Sequence, residues 1–226
     1  MKYLIFIGSV RESSPPNPPR LGLRVAKACQ YSMDDLAADV SVELIDPLDF
    51  NLDAIFKPHF AYGKSSVPKD LDMLATKIKN ADGFIMVSPE YNHSMSPALS
   101  HLLNHFGSSL FSYKPSAIVT YSAGQWGGCR AAVNMRTFLS ELGCLPVSAM
   151  VHIPKAQDVF QENGQVVEGA DAKRWAGYIH RTFAQLHWWA NAAAEQRAIV
   201  APDSVAKAFT RDPSQRNAPA SGDDQG

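Results

Sequence analysis

Three segments of the chain gather residue types that bind and orient small molecules. The first is Gly8-Ser9-Val10-Arg11, followed closely by Ser13 and Ser14. A small flexible turn, hydroxyls, a guanidinium and a following helix N-terminus together suit a phosphate. Taken alone, the same string also suits an ordinary polar turn between a strand and a helix. The second runs Ser88-Pro89-Glu90-Tyr91-Asn92-His93-Ser94-Met95-Ser96-Pro97. Pro89 removes one amide and fixes the chain, so that the following amides are free to face a ligand. Tyr91 offers an aromatic edge, Asn92 and Ser94 offer hydrogen bonds, and Pro97 fits the first turn of a helix. The third is Tyr121-Ser122-Ala123-Gly124-Gln125-Trp126-Gly127-Gly128-Cys129-Arg130. Its glycines would let the backbone approach a flat ligand, with Trp126 either covering that ligand or closing the loop onto the core. No Gly-x-x-x-x-Gly-Lys-Ser/Thr or Gly-x-Gly-x-x-Gly occurs here, which argues against a P-loop or dinucleotide fingerprint.

The elements that must position these segments alternate along the chain. Apolar runs at Tyr3–Ile7, Phe84–Val87, Ala117–Thr120 and Leu145–Val151, with Val42–Ile45 the weakest, are bounded by turn residues and predict strands covered on both faces. Between them, 3–4 spacings predict helices through Leu23–Leu36, Leu71–Asn80, Leu99–Gly107 and Met135–Gly143, with a long last helix from Trp175. Five strands alternating with five helices imply an α/β doubly wound parallel sheet, and five strands favour the flavodoxin-like order 2-1-3-4-5. Ligands of such sheets bind outside the carboxyl ends of the strands, where the order reverses. That places a site between strands one and three, beside all three segments. A domain over residues 1–200 and a flexible tail over 201–226 are expected, and Pro15–Pro19 reads as a loop.

Composition narrows the function classes. The 226 residues are 46% hydrophobic and 19% charged, with net charge -1. This excludes wholesale disorder, and no basic field points to nucleic acid. Three scattered cysteines, Cys29, Cys129 and Cys144, fit reduced thiols and read as small buried apolar residues. The N-terminal apolar run is too short for a signal peptide, and no run reaches the roughly 18–20 residues of a membrane span. A soluble, cytoplasmic protein without a membrane role is expected. His101 and His105 share a helix face at i, i+4 spacing, yet no cysteine or carboxylate joins them nearby in sequence, so no metal is expected.

The strings Gly8-Ser9-Val10-Arg11, Pro89-Glu90-Tyr91-Asn92-x-Ser94 and Ser122-x-Gly124-x-x-Gly127-Gly128-x-Arg130-Ala131 resemble the NAD(P)H-dependent FMN reductase and quinone reductase family of flavodoxin-like proteins. The similarity runs in order from Met1 to about Asn163. It implies a non-covalent FMN, with Ser9, Arg11 and Ser14 on its phosphate. Pro89, Glu90, Tyr91, Asn92 and Ser94, with Ser122, Gly124 and Gln125, would surround its ring. It also implies NADPH or NADH as electron donor, quinones, free flavin or azo compounds as acceptors, and a homodimer or homotetramer. The flavin carries the difficult chemistry in such proteins, so no side chain is nominated as a catalytic acid or base. Arg130 suits either a phosphate of the nicotinamide cofactor or a structural ion pair.

Two features depart from the family pattern. Pro15–Pro19 looks like an insertion in the first loop. Leu99-Ser100-His101-Leu102-Leu103-Asn104 replaces the usual Leu-Lys-Asn-x-x-Asp, so a salt bridge made there in relatives cannot form. Two other classes compete with an enzyme: a flavodoxin-type electron carrier, which is usually strongly acidic, and a redox-dependent flavin-binding sensor.

Overall fold

Every residue from Tyr3 to Ile7 is fully buried, because the strand they form is covered on both faces. In the computed structural model, which describes residues 1–14, 16, 19–52 and 55–205, this strand is β1 (Lys2–Ile7). It pairs in parallel with β2 (Ser41–Ile45) on one side and β3 (Gly83–Tyr91) on the other. Beyond β3 follow β5 (Pro115–Tyr121) and β6 (Leu145–Ile153), both parallel, giving the order β2-β1-β3-β5-β6. The expected flavodoxin-like sheet is present.

Period-two alternation divides the interior into two cores. Tyr3, Ile5 and Ile7 join Ile85, Val87, Val119 and Tyr121 beneath α1 (Leu21–Asp34) and α6 (Ala172–Ile199). Leu4, Phe6, Phe84, Met86 and Ile118 face α2 (Lys69–Lys79), α3 (Pro97–Asn104) and α4 (Cys129–Glu141). Fully burying each large apolar side chain contributes about 1.5–3 kcal/mol, so the nine residues of β1 and β3 that face one core or the other hold the sheet's centre rigid. The carboxyl ends of β1 and β3 therefore make a fixed platform.

Several expectations change in detail. The second segment is not a loop from Ser88 onward. Strand β3 runs through it to Tyr91, and Asn92 and His93, with φ of 49° and 63°, turn it back into β4 (Ser94–Met95). Two successive left-handed residues between antiparallel strands are the hairpin geometry that matches strand twist. Six strands are thus present among the described residues, not five. Helix α1 begins at Leu21 and ends at Asp34, and a short α5 (Ala156–Val159) follows β6. Ser96 caps α3 by accepting from the Leu99 amide, with Pro97 in the first turn. On α6, Trp188 and Trp189 are 63% and 40% exposed and stand edge-to-face. Cys29 and Cys144 are buried, whereas Cys129 is only partly so. No helix among the described residues is long and apolar enough to cross a membrane. Helix α6 ends at Ile199; most of the expected tail, residues 206–226, and Pro15, Asn17 and Pro18 of the proline-rich loop lie outside the described residues.

Candidate functional site

Where β1 and β3 end, the chain leaves the sheet on opposite sides and a hollow of about 700 Å³ opens. That volume is ordinary for a small-molecule or cofactor site. Its lining includes Ser9, Arg11 and Arg20 from the first loop and Pro89, Glu90 and Tyr91 from β3. Tyr121, Ser122 and Ala123 come from the end of β5. The first loop starts tight against the sheet: the Gly8 amide donates to the Val87 carbonyl at 2.7 Å, and a Cβ there would stand 2.7 Å from that oxygen. Only glycine allows β1 to turn so close to β3.

The floor of the hollow is a buried ion pair. Arg20, 8% exposed, precedes the first turn of α1. Its guanidinium donates to the Ser9 carbonyl at 2.6 Å and to both carboxylate oxygens of Asp46, just after β2. Its backbone amide donates to Ser13 Oγ. Arg20 thereby ties Ser13 and Ser9 to the start of α1. Above it, Tyr121 is almost fully buried; burial pushes its phenol up, while a hydrogen bond with Ser9 acts in the opposite direction. Arg11 crosses to the far wall, its Nε donating to Tyr91 Oη at 3.2 Å.

Glu90 lines the hollow and also ties it to α4. It pairs with Arg130 and accepts from the Ala131 amide, at the first turn of α4. The N-cap residue there, Gly128, has no side chain to do this, so Glu90 serves as a cap from a neighbouring strand. Besides this ion pair, the Arg130 guanidinium lies 5.9 Å from the ring centre of exposed Trp126. Trp126 neither closes onto the core nor lines the hollow.

The third loop is shaped by its own hydrogen bonds. Ser122 Oγ donates to the Gly124 carbonyl and accepts from the Gly127 amide, at 2.7 and 2.9 Å. Residues after β6 brace it: the Lys155 and Ala156 amides donate to the carbonyls of Gly124 and Ser122. Gly128, with φ of 75°, is required by the left-handed turn into α4 and by Thr120, whose Cβ would lie 2.9 Å from an added Cβ. This glycine thus makes room for the Thr120 side chain and the Tyr121 carbonyl.

The structure brings Ser9, Arg11, Pro89, Glu90, Tyr91 and Ser122 to one hollow. The remaining candidates lie outside its lining. Ser14 donates to Glu12 Oε1, Ser94 donates to Asn134 Oδ1, and Asn92 forms the hairpin turn. Gly124 and Gln125 are exposed on the third loop.

A family model described as NADPH-dependent FMN reductase matches residues 1–158. The chain belongs to that family. The reductase is accordingly an oxidoreductase that uses FMN and draws electrons from NAD(P)H. It is 30% identical over 157 residues to an NAD(P)H-dependent FMN reductase of Pseudomonas aeruginosa, covering 66% of this chain and 80% of the relative. It is 28% identical to the NADH:(hydroxy)cinnamate reductase subunit CrdA of Vibrio ruber, covering 74% and 78%. In fold it is similar to the flavoenzyme NAD(P)H:(acceptor) oxidoreductase FerB of Paracoccus denitrificans, with a TM-score of 0.61 at 18% identity, covering 83% of this chain and 97% of that one.

The hollow fits the cofactor. A buried guanidinium, the α1 N-terminus and the Ser9 hydroxyl meet at one end, as a phosphate requires. Pro89, Tyr91 and the third-loop backbone form the other, a wall suited to a flat ring. Sequence reasoning missed Arg20, Asp46 and Tyr121. Arg20 sits beside the proline-rich loop, and its partner is remote in the chain. Only the alternation along β5, which sends Val119 and Tyr121 towards α1, could have identified Tyr121.

Proposed function

We propose that the reductase holds FMN in this hollow and passes two electrons from NAD(P)H to flat acceptors: quinones, free flavin or azo compounds. Ser9 and Arg11 bind the phosphate, with Arg20 and the α1 N-terminus behind them. Pro89, Glu90, Tyr91 and Ser122 frame the ring, the Glu90 side chain acting by fixing the hairpin to α4. Asn92, Ser94, Gly124 and Gln125 lie in the hairpin and third loop flanking that frame, and Ser14 adjoins the phosphate loop. FMN held there would supply the two-electron chemistry between the nicotinamide and the acceptor. The chain's own residues orient the rings and place amides where negative charge develops. The observation carrying this reading is the convergence of Ser9, Arg11, Arg20 and Tyr91 on one hollow at the strand-order reversal.

The acceptor class is supported by relatives named as quinone reductase of Escherichia coli and NADPH azoreductase of a Bacillus strain, each 35% identical over less than half the chain. A homodimer or homotetramer working in the cytoplasm completes the proposal.

The test is a visible spectrum after FMN loading and desalting, followed by anaerobic NADPH, then NADH, then a quinone. An oxidised-flavin spectrum that bleaches with a nicotinamide and recovers with the quinone is expected. Retained flavin that neither donor bleaches would transfer the protein to the carrier or sensor class.

A further inference from the structure

Helix α3 ends in two imidazoles that face each other. His101 and His105 bring their Nε2 atoms within 3.3 Å, with ring planes at 85°. His105 is 2% exposed and caps the end of the helix, whereas His101 is open to solvent. The nitrogen separation is the first clue. Zinc–imidazole bonds of about 2.0–2.1 Å at a tetrahedral angle place two ligand nitrogens about 3.3–3.4 Å apart. The second is the contact itself: at 3.3 Å the two nitrogens share one proton in a hydrogen bond, and a cation bound by both would take that proton's place.

The tautomer is set from outside. His105 Nδ1 lies 3.3 Å from the Lys57 carbonyl oxygen, which only accepts, so Nδ1 carries the proton and Nε2 presents its lone pair. Metal-ligating histidines characteristically show this arrangement, the second ring nitrogen donating to a backbone carbonyl. Phe56 packs against both rings, at 4.8 Å from that of His105 and 6.0 Å from that of His101. On its open side His101 borders a hollow of about 650 Å³ that Asn104 and Glu141 also line.

We propose that His101 and His105 form a two-imidazole site for a borderline divalent cation, Zn²⁺ foremost, with water in the remaining positions. Imidazole pairs suit zinc, copper and nickel rather than magnesium or calcium. No group of three or more His, Cys, Asp or Glu side chains is placed to hold a metal among the described residues, so the ion is exchangeable and not a fixed structural zinc. Its effect is local. The His59 amide donates to the His105 carbonyl at 2.7 Å, and with the Lys57 contact this ties residues 57–59 to the end of α3. A bound ion fixes both rings and hence that strap. The site is independent of the flavin hollow.

The experiment is calorimetric titration of Zn²⁺ alone into the FMN-loaded protein, with thermal unfolding alongside. His101→Ala and His101→Gln remove the exposed ligand without disturbing the buried one. His180→Ala, at an exposed histidine on α6, controls for adventitious surface binding. One equivalent per chain, with saturable binding lost in both His101 variants and unchanged in His180→Ala, is expected, with a zinc-dependent rise in unfolding temperature that both His101 variants lose. Equal affinity in the His101 variants and the wild type overturns the proposal, as does absence of saturable binding to the wild type.

Discussion

A buried cation stands at each end of the sheet, and the two are used differently. At the amino end, Lys114 is 7% exposed, and its ammonium donates to the carbonyls of Ile78, Lys79 and Leu110. An ammonium has three N–H groups, so all are committed, two of them to the last turn of α2. Beside it, Arg197 joins the Tyr113 carbonyl to Asp82, whose other oxygen takes the Lys2 amide. At the carboxyl end, Arg20 is equally buried, but its contacts with Ser9 and Asp46 engage three of five N–H groups, and it borders the flavin hollow. One cation is saturated by the fold and closes a helix end. The other is held by the fold and presented to space. Burial alone therefore does not separate a structural charge from a functional one; the count of donors met by the protein, and what lies beside the remainder, does.

Substituting the two cations in parallel is the strongest test of that contrast. Arg20→Met leaves Asp46 buried without its partner and should cost about 3–5 kcal/mol of stability. Lys114→Met strands backbone carbonyls and should cost about 1–3 kcal/mol. Chemical denaturation reads both. Only the Arg20 variant should also lose preference for FMN over riboflavin, and Arg20→Lys, which keeps a charge, provides a folded protein for that comparison. If Lys114→Met weakened FMN as much as Arg20→Lys, the two ends would not be functionally distinct. Next in size, Arg11→Ala should weaken FMN by about 1.5–3 kcal/mol, the range of a charged hydrogen bond, with little change in stability because its contact with Tyr91 is exposed. Unchanged affinity in a flavin-fluorescence titration would remove Arg11 from the phosphate site.

The parts legible in the sequence share a physical cause. Strands buried on both faces must be continuously apolar, so Tyr3–Ile7 and Phe84–Val87 announced themselves, and the strand order then fixed which loops would meet. Signals of shape were weaker. The β3–β4 hairpin was missed because its turn is Asn92-His93 rather than Asn followed by glycine, the pair that signals such a turn. Long-range pairings were invisible: nothing near Arg20 names Asp46, and nothing near Glu90 names the α4 N-terminus. Ser14 shows how spacing alone leaves a partner open, since its hydroxyl donates to its neighbour Glu12.

The smallest expected effect lies at the rim, where Arg130 pairs with Glu90. Arg130 is nearly half exposed, whereas Glu90 retains about a tenth of its side-chain exposure. Burial would raise the Glu90 carboxyl, but the Arg130 guanidinium and the Ala131 amide together outweigh it and hold the group below its ordinary value near 4.5. The folded value is thus below the unfolded one. The pair's contribution is fully present above about pH 4.5 and disappears as pH falls through the folded value. With one partner in solvent, that contribution should be about 0.5–1 kcal/mol. Arg130→Met should open a stability gap of that size at neutral pH and close it in acid, leaving FMN affinity nearly unchanged. A gap independent of pH would mean that Arg130 acts through packing on Trp126. A large loss of FMN would move this rim pair into the same class as Arg20, and the saturation of donors would then no longer distinguish the charges that shape the hollow from those that serve it.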